Sequence, residues 1–109
     1  EASLSQIEKI LNNITSDDQQ RELNRFGYYL LAEGNLSQAI KVFSKIAEAF
    51  PTSANAFDSL GEAYEIAKDY PESAKAYAKA ASLAIKHSPA QKEAIEQNYK
   101  RVLQKRDAS

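Results

Sequence analysis

Apolar residues recur along this chain at the spacing of a helix and not at the alternation of a strand. In the first segment four of them share one side of a helix, namely Leu4, Ile7, Leu11 and Ile14. Ile10 widens that stripe, and the pattern predicts an amphipathic helix over residues 4–15. Since no segment of any length alternates apolar and polar residues, the sequence predicts an all-α fold.

A serine and a glycine divide the next stretch into two helices. Ser16 is predicted as the N-cap of a second helix, because its hydroxyl can accept a hydrogen bond from a first-turn N–H. That helix is expected to stop at Gly34, and a third helix to run from Leu36 to Phe50. Pro51 closes the third helix, since the residue before a proline resists helical torsions.

Three further helices are predicted in the rest of the chain. Ser53 opens a fourth helix, which is expected to end near Lys68. Pro71 lies in the first turn of a fifth, where its missing N–H costs nothing, and Ile85 is expected on the buried stripe. A sixth helix begins at Ser88 as a terminal cap with a single apolar stripe. That stripe comprises Ala94, Ile95, Asn98, Tyr99, Val102 and Leu103.

Two segments of the chain repeat each other 34 residues apart. Gly27 recurs as Gly61, and Phe43 is matched by Tyr77. Residue size and polarity recur at the same offsets, which indicates a repeated packing unit. The glycines are expected where the two helices of a hairpin approach closely, and the rings are expected to fill the space between successive hairpins.

The repeated positions resemble the tetratricopeptide repeat, a 34-residue helix–turn–helix unit. In the first repeat the matching residues are Leu23, Phe26, Gly27, Leu30, Gly34, Ala39, Phe43 and Pro51. In the second they are Phe57, Leu60, Gly61, Tyr64, Tyr77 and Ala80, with Ser73 in place of alanine and Ile85 in place of proline. The resemblance implies a right-handed superhelix of antiparallel helix hairpins in a single domain, residues 1–109. Its expected parts are a leading helix (4–15), two repeats (20–53 and 54–87) and a capping helix (88–106).

Composition narrows the classes of function. Fourteen basic and fifteen acidic residues leave a net charge of −1, so no bulk attraction to nucleic acid or to an anionic membrane is expected. The chain has no cysteine and a single histidine, His87, so no metal site, cofactor site or catalytic triad is predicted. Asp58 and Glu62 share a helix face, but they are expected to line a groove and not to act as an acid–base pair.

The family resemblance also implies where a partner would bind, because tetratricopeptide arrays hold polypeptide segments on their concave side. The candidate binding residues are Arg21, Asn24, Arg25, Tyr28, Asn55, Asp58 and Glu62. The groove is expected to be basic and aromatic at one end and acidic at the other. Its partner would be a protein or peptide segment, or an upstream domain of the same protein. Two alternatives for this face are simple solvation and occupation by the terminal helix.

A narrower resemblance concerns residues 23–31 and 51–64, which look like the short repeat tail at the C-terminus of many bacterial serine hydrolases of the β-lactamase or esterase type. It implies catalytic machinery upstream, since neither a Ser-x-x-Lys nor a Gly-x-Ser-x-Gly pattern occurs here. The first hypothesis is therefore a non-catalytic protein-binding module. The alternative is a structural appendage of such a hydrolase that packs on the catalytic domain or mediates dimerisation.

Overall fold

Helices make up nearly all of the chain that the structure describes. The computed structural model describes residues 4–109, with side chains from residue 7 onward. Leu4, which was assigned to the first apolar stripe, lies outside the described side chains. No strand occurs between residues 4 and 109, so the all-α fold predicted from the sequence is confirmed.

The helices follow one another with short connections, as antiparallel neighbours require. They are α1 (Leu4–Asn12), α2 (Asp17–Ala32), α3 (Leu36–Ala49), α4 (Ala54–Ile66), α5 (Tyr70–His87) and α6 (Lys92–Ala108). Helix α1 ends earlier than residue 15, and a 3₁₀ turn over Pro89–Gln91 delays the start of α6 beyond Ser88. None of the described helices is long and apolar enough to span a membrane.

Short polar side chains cap the start of α2, α4 and α5. Ser16 Oγ accepts a hydrogen bond from the N–H of Gln19 at 3.2 Å, and Gln19 Oε1 accepts one from the N–H of Ser16 at 3.2 Å. This reciprocal capping box starts α2 where the sequence predicts it. Ser53 and Asp69 cap α4 and α5, and each accepts a hydrogen bond from one first-turn N–H.

Helices α2 and α4 end in the same left-handed turn. In both, the third residue beyond the helix donates its N–H back into the last turn at 2.9 Å, Asn35 to the carbonyl of Leu30 and Asp69 to that of Tyr64. The residue before it must then adopt a positive φ, which is 81° at Gly34 and 64° at Lys68. Glycine adopts this conformation freely, whereas the Cβ of lysine crowds the following carbonyl. This turn ends α4 at Ile66, before the predicted end near Lys68.

Each hairpin is closed by an aromatic ring that lies on a glycine. A Cβ added to Gly27 of α2 would come within 2.5 Å of the Phe43 ring of α3. A Cβ added to Gly61 of α4 would come within 2.7 Å of the Tyr77 ring of α5. Both rings are buried, so neither can move aside without disturbing its neighbours. The glycines therefore mark the close approach of helices that the sequence predicts.

The core continues from each hairpin to the next. The cluster around Phe43 includes Ala56 and Ala63 of α4, and the cluster around Tyr77 includes Val102 of α6. Helices α2 to α5 each contact the next one along the chain, and α1 packs mainly against α3. The rings thus belong both to their own hairpins and to the junctions with the following helix.

Three residues that the sequence pattern assigns to apolar stripes are exposed. Ile10 of α1 is 38% exposed. Ile85 is 57% exposed, and Ala94 lies on the surface of α6. Leu83 and Ala84 take the buried positions near the end of α5, where they pack with Ile95. Neighbouring residues on a helix point about 100° apart, so an error of one position turns a side chain from the core to solvent.

Replacing a core glycine by alanine tests the ring contacts. In an unhindered helix this change stabilises the helix by about 1 kcal/mol. At Gly61 the new Cβ meets the Tyr77 ring, so Gly61→Ala is expected to lower the free energy of unfolding by about 1–3 kcal/mol in urea denaturation. Lys92→Ala, on the exposed side of α6, is the control and should change it by less than about 0.5 kcal/mol. A Gly61→Ala protein as stable as the original chain would contradict the packing described here.

The left-handed turn after α4 supports a second prediction. Lys68→Gly is expected to raise the free energy of unfolding by about 0.5–1 kcal/mol, because glycine adopts the positive φ without a Cβ clash. The reciprocal change Gly34→Lys should lower it by a similar amount. Both positions are exposed, so lost side-chain contacts contribute little. Chemical denaturation measures both variants, and a loss of stability in Lys68→Gly would show that the turn is not strained.

Candidate functional site

Where α2 lies beside α4, Tyr28 contacts one other predicted binding residue, Glu62. Its hydroxyl lies 3.0 Å from Ser59 Oγ and 3.0 Å from Glu62 Oε1. Its ring packs edge-on against Phe43, with 5.1 Å between the ring centroids. Tyr28 is thus half-buried, and its hydroxyl joins α2 to α4.

The same surface continues from α4 onto α6. Asn98 Nδ2 donates to Asp58 Oδ1 at 3.1 Å. The guanidinium of Arg101 donates to both carboxylate oxygens of Glu65, at 2.8 and 2.7 Å, and Lys105 Nζ donates to Glu65 Oε2 at 2.7 Å. Side chains of the terminal helix thus reach α4 and form part of the face that carries the predicted site.

Residues of α6 correspond in their burial to residues of α4. Four pairs of positions correspond at a spacing of 39 residues: Ala56 with Ile95, Ser59 with Asn98, Glu62 with Arg101 and Ala63 with Val102. The apolar members are buried against the preceding hairpin in both helices. Helix α5 has 18 residues where α3 has 14, which accounts for most of the shift from the 34-residue period. We call the surface shared by α2, α4 and α6 the inner face. It comprises Arg21, Asn24, Arg25, Tyr28, Asn55, Asp58, Glu62, Asn98 and Arg101.

The two predicted arginines of the inner face are exposed. The side chains of Arg21 and Arg25 are 66% and 78% exposed. Arg21 bonds to Asp18, and Arg25 lies 4.0 Å from Glu22 on the same helix. Exposed pairs three residues apart gain little energy, so both guanidinium groups can exchange partners readily.

The two predicted asparagines flank the start of the contact between α2 and α4. Asn24 is half-buried, and Asn55 is exposed. One turn before Asn24, the side-chain oxygen of Gln20 accepts a hydrogen bond from Ser53 Oγ at 3.0 Å. Polar contacts therefore join α2 and α4 at both ends of the predicted site.

Burial changes the acid–base properties of two groups on the inner face. It raises the pKa of the Asp58 carboxyl, although the hydrogen bond from Asn98 acts in the opposite direction. Burial also raises the pKa of Tyr28 to about 12, and the negative charge of Glu62 adds to this effect. Tyr28 therefore keeps its proton at neutral pH and can donate it to a neighbouring oxygen.

The pKa of Glu65 is shifted in the opposite direction, to a lower value. The hydrogen bond from Arg101 is the largest cause that holds the pKa of Glu65 at about 2, and bonds from Lys105 and Tyr77 act in the same direction. Glu65 is thus ionised throughout the neutral range. It fastens α6 to α4 through two cations, and it also accepts a hydrogen bond from Tyr77 of α5.

Sequence reasoning missed Ser59, Asn98 and Arg101 as members of this network. The helical pattern places Arg101 on the outer side of α6, but its side chain reaches Glu65 on α4. Residues of α6 fall outside the 34-residue register, so the repeat cannot pair them with their equivalents. Ser59 had one available signal, since it lies one helical turn from Asn55 on the side that carries Glu62.

The side chains of the inner face can bind a ligand through hydrogen bonds and through charge. Asp58 and Glu62 are each already in contact with a protein donor. In the described part of the chain, no three His, Cys, Asp or Glu side chains are grouped so that they could hold a metal ion. The arrangement is therefore suited to recognising polar and charged groups on another molecule.

The low pKa of Glu65 makes a pH-dependent prediction. Because the folded pKa of about 2 lies below the ordinary 4.5, ionised Glu65 stabilises the fold above pH 4.5, and this stabilisation is lost as pH falls towards 2. Glu65→Gln should therefore lower the melting temperature at neutral pH, with a difference from the original chain that narrows between pH 4.5 and about 2. Thermal melts followed by circular dichroism measure this, with Glu48→Gln on the surface of α3 as control. A difference that is independent of pH would rule out the ion-pair origin.

Comparison with known proteins does not assign the chain to a family. No protein-family model matches it, and a search of curated proteins finds no match. The functional conclusion therefore rests on the inner face and on the chemistry of its side chains.

Proposed function

We propose that the chain is a tetratricopeptide-like interaction module that binds a polypeptide segment along the inner face and catalyses no reaction itself. The observation that carries this proposal is the set of side-chain bonds that join α2, α4 and α6 across one surface. Such bonds hold the surface in one shape before a ligand arrives. A preorganised surface loses less conformational entropy on binding, so more of the contact energy appears as affinity.

The charge on α2 favours a ligand with acidic groups at that edge. Arg21 and Arg25 are exposed, and their present partners lie on the same exposed helix. Transfer of these guanidinium groups to ligand carboxylates therefore breaks only weak contacts. Arg101, at the other edge, already shares Glu65 with Lys105. Acidic ligand groups are thus expected over α2.

The centre of the inner face favours hydrogen-bond donors. Asp58 and Glu62 present carboxylate oxygens there, and each is half-buried. Because burial raises the pKa of Asp58, the charged form of this carboxyl gains from a further donor or cation. A polypeptide segment supplies backbone N–H groups and polar side chains for this purpose. The ligand is therefore a segment of a partner protein, or of an upstream domain, with acidic residues at one end.

Neutralising the two arginines tests this proposal. A labelled acidic peptide should bind the original chain at low ionic strength, and Arg21→Gln combined with Arg25→Gln should weaken binding about tenfold in fluorescence anisotropy. The matched control is Lys75→Gln with Lys79→Gln, which removes the same charge at the same spacing from the exposed side of α5. All four side chains are exposed, so melting curves should change little. Equal binding by both double variants would show that the arginines do not form the site.

A further inference from the structure

A second surface lies between α1 and α2, away from α6. A cleft of about 450 Å³ opens there. Its apolar lining comes from Ile7, Ile10, Leu23 and Phe26, and its polar lining from Asp18, Gln19 and Glu22. Ile10 is 38% exposed, and Phe26 is partly exposed. The cleft thus presents apolar side chains to solvent within a polar rim.

The cleft exists because α1 is held on the side of α3. Ile7 and Leu11 are buried in the core cluster, and α1 packs mainly against α3. Glu8 forms an ion pair with Lys41 of α3 at 2.7 Å, which fastens α1 on the same side. The side of α1 that faces α2 is therefore incompletely filled, and Phe26 lines the gap.

The rim of the cleft is acidic. Asp18 and Glu22 line it, and none of its lining residues within the described side chains is basic. The arginines that pair with these carboxylates, Arg21 and Arg25, belong to the inner face of α2. A ligand that combines apolar side chains with positive charge is therefore complementary to the cleft.

We propose that this cleft receives a helical segment of a partner protein, which inserts apolar side chains and carries lysine or arginine beside them. The volume lies within the range of roughly 300–1,000 Å³ that is typical of specific pockets. Both walls are helices that present side chains, so an extended segment would find no open sheet edge for its backbone groups. A helix satisfies its own backbone hydrogen bonds and needs only side-chain contacts. This site is separate from the inner face and goes beyond the function proposed above.

Two matched peptides test the charge of the partner. Both carry leucines at positions i, i+3 and i+7 of a helix, and they differ only in flanking lysines or flanking glutamates. In fluorescence anisotropy at low ionic strength the lysine peptide should bind the full chain about tenfold more tightly than the glutamate peptide. Asp18→Asn combined with Glu22→Gln should remove most of that difference. Equal binding of the two peptides to the original chain would overturn the proposal.

Substitution of two isoleucines tests whether the peptide binds in the cleft. Ile10→Gln makes one wall polar and should weaken the lysine peptide about tenfold, whereas Ile85→Gln, an exposed site on α5, should leave its affinity unchanged. If the lysine peptide bound the Ile10→Gln variant as tightly as the original chain, the proposal would be overturned. If Ile10→Gln lost helicity by circular dichroism, the rim variant would still decide the question.

Two further measurements separate this site from the alternatives. The double variant Arg21→Gln with Arg25→Gln should bind the lysine peptide at least as well as the original chain. The proposal for the inner face and the proposal for the cleft can therefore fail independently of each other. Sedimentation of the chain without peptide tests whether a second copy of the chain fills the cleft instead. A dimer that Ile10→Gln dissociates would show that a second copy of the chain fills the cleft, and it would overturn the partner proposed here.

Discussion

The contact between an aromatic ring and a glycine is the constraint on which the rest of this structure depends. Phe43 lies on Gly27, sets the distance between α2 and α3, and meets the edge of the Tyr28 ring. Tyr77 closes the second hairpin in the same way and donates its hydroxyl to Glu65 at 2.9 Å. The residues that close the two hairpins thus also position polar side chains of α2 and α4. The centre of the inner face is therefore held by packing and hydrogen bonds, whereas its arginine edge is exposed.

The second hairpin differs from the first by its buried hydroxyl groups. Ser73 stands where the first repeat has Ala39, and its Oγ donates to the carbonyl oxygen of Gly61 at 2.7 Å, so the added oxygen is satisfied within the core. Tyr77 stands where the first repeat has Phe43, and its hydroxyl reaches Glu65. Glu65 in turn holds α6. The polar additions of the second hairpin are therefore satisfied without water, and one of them helps to attach the terminal helix.

Local rules explain the parts of the fold that could be predicted from the sequence. Ser16 and Gly27 were predictable because a cap and a close approach each depend on a single residue type. The end of α4 was predicted near Lys68, but the left-handed turn there was not, since Lys68 takes that conformation without being glycine. The partners of Tyr28 lie 31 and 34 residues along the chain, so periodicity gave its side of the helix but not its hydrogen bonds. Arg101 escaped prediction because α6 follows a spacing of 39 residues and not 34.

Helix α2 connects the two surfaces for which ligands are proposed. Arg21 and Arg25 belong to the inner face, while Asp18 and Glu22 line the cleft beside α1. These residues pair with one another within the helix. An inner-face ligand whose carboxylate binds Arg25 would therefore leave the negative charge of Glu22 less compensated. A lysine in the cleft would then interact more strongly with Glu22, and the two ligands would favour each other. Because the pairs are exposed, this coupling is small and screened by salt, and by linkage it is the same in both directions.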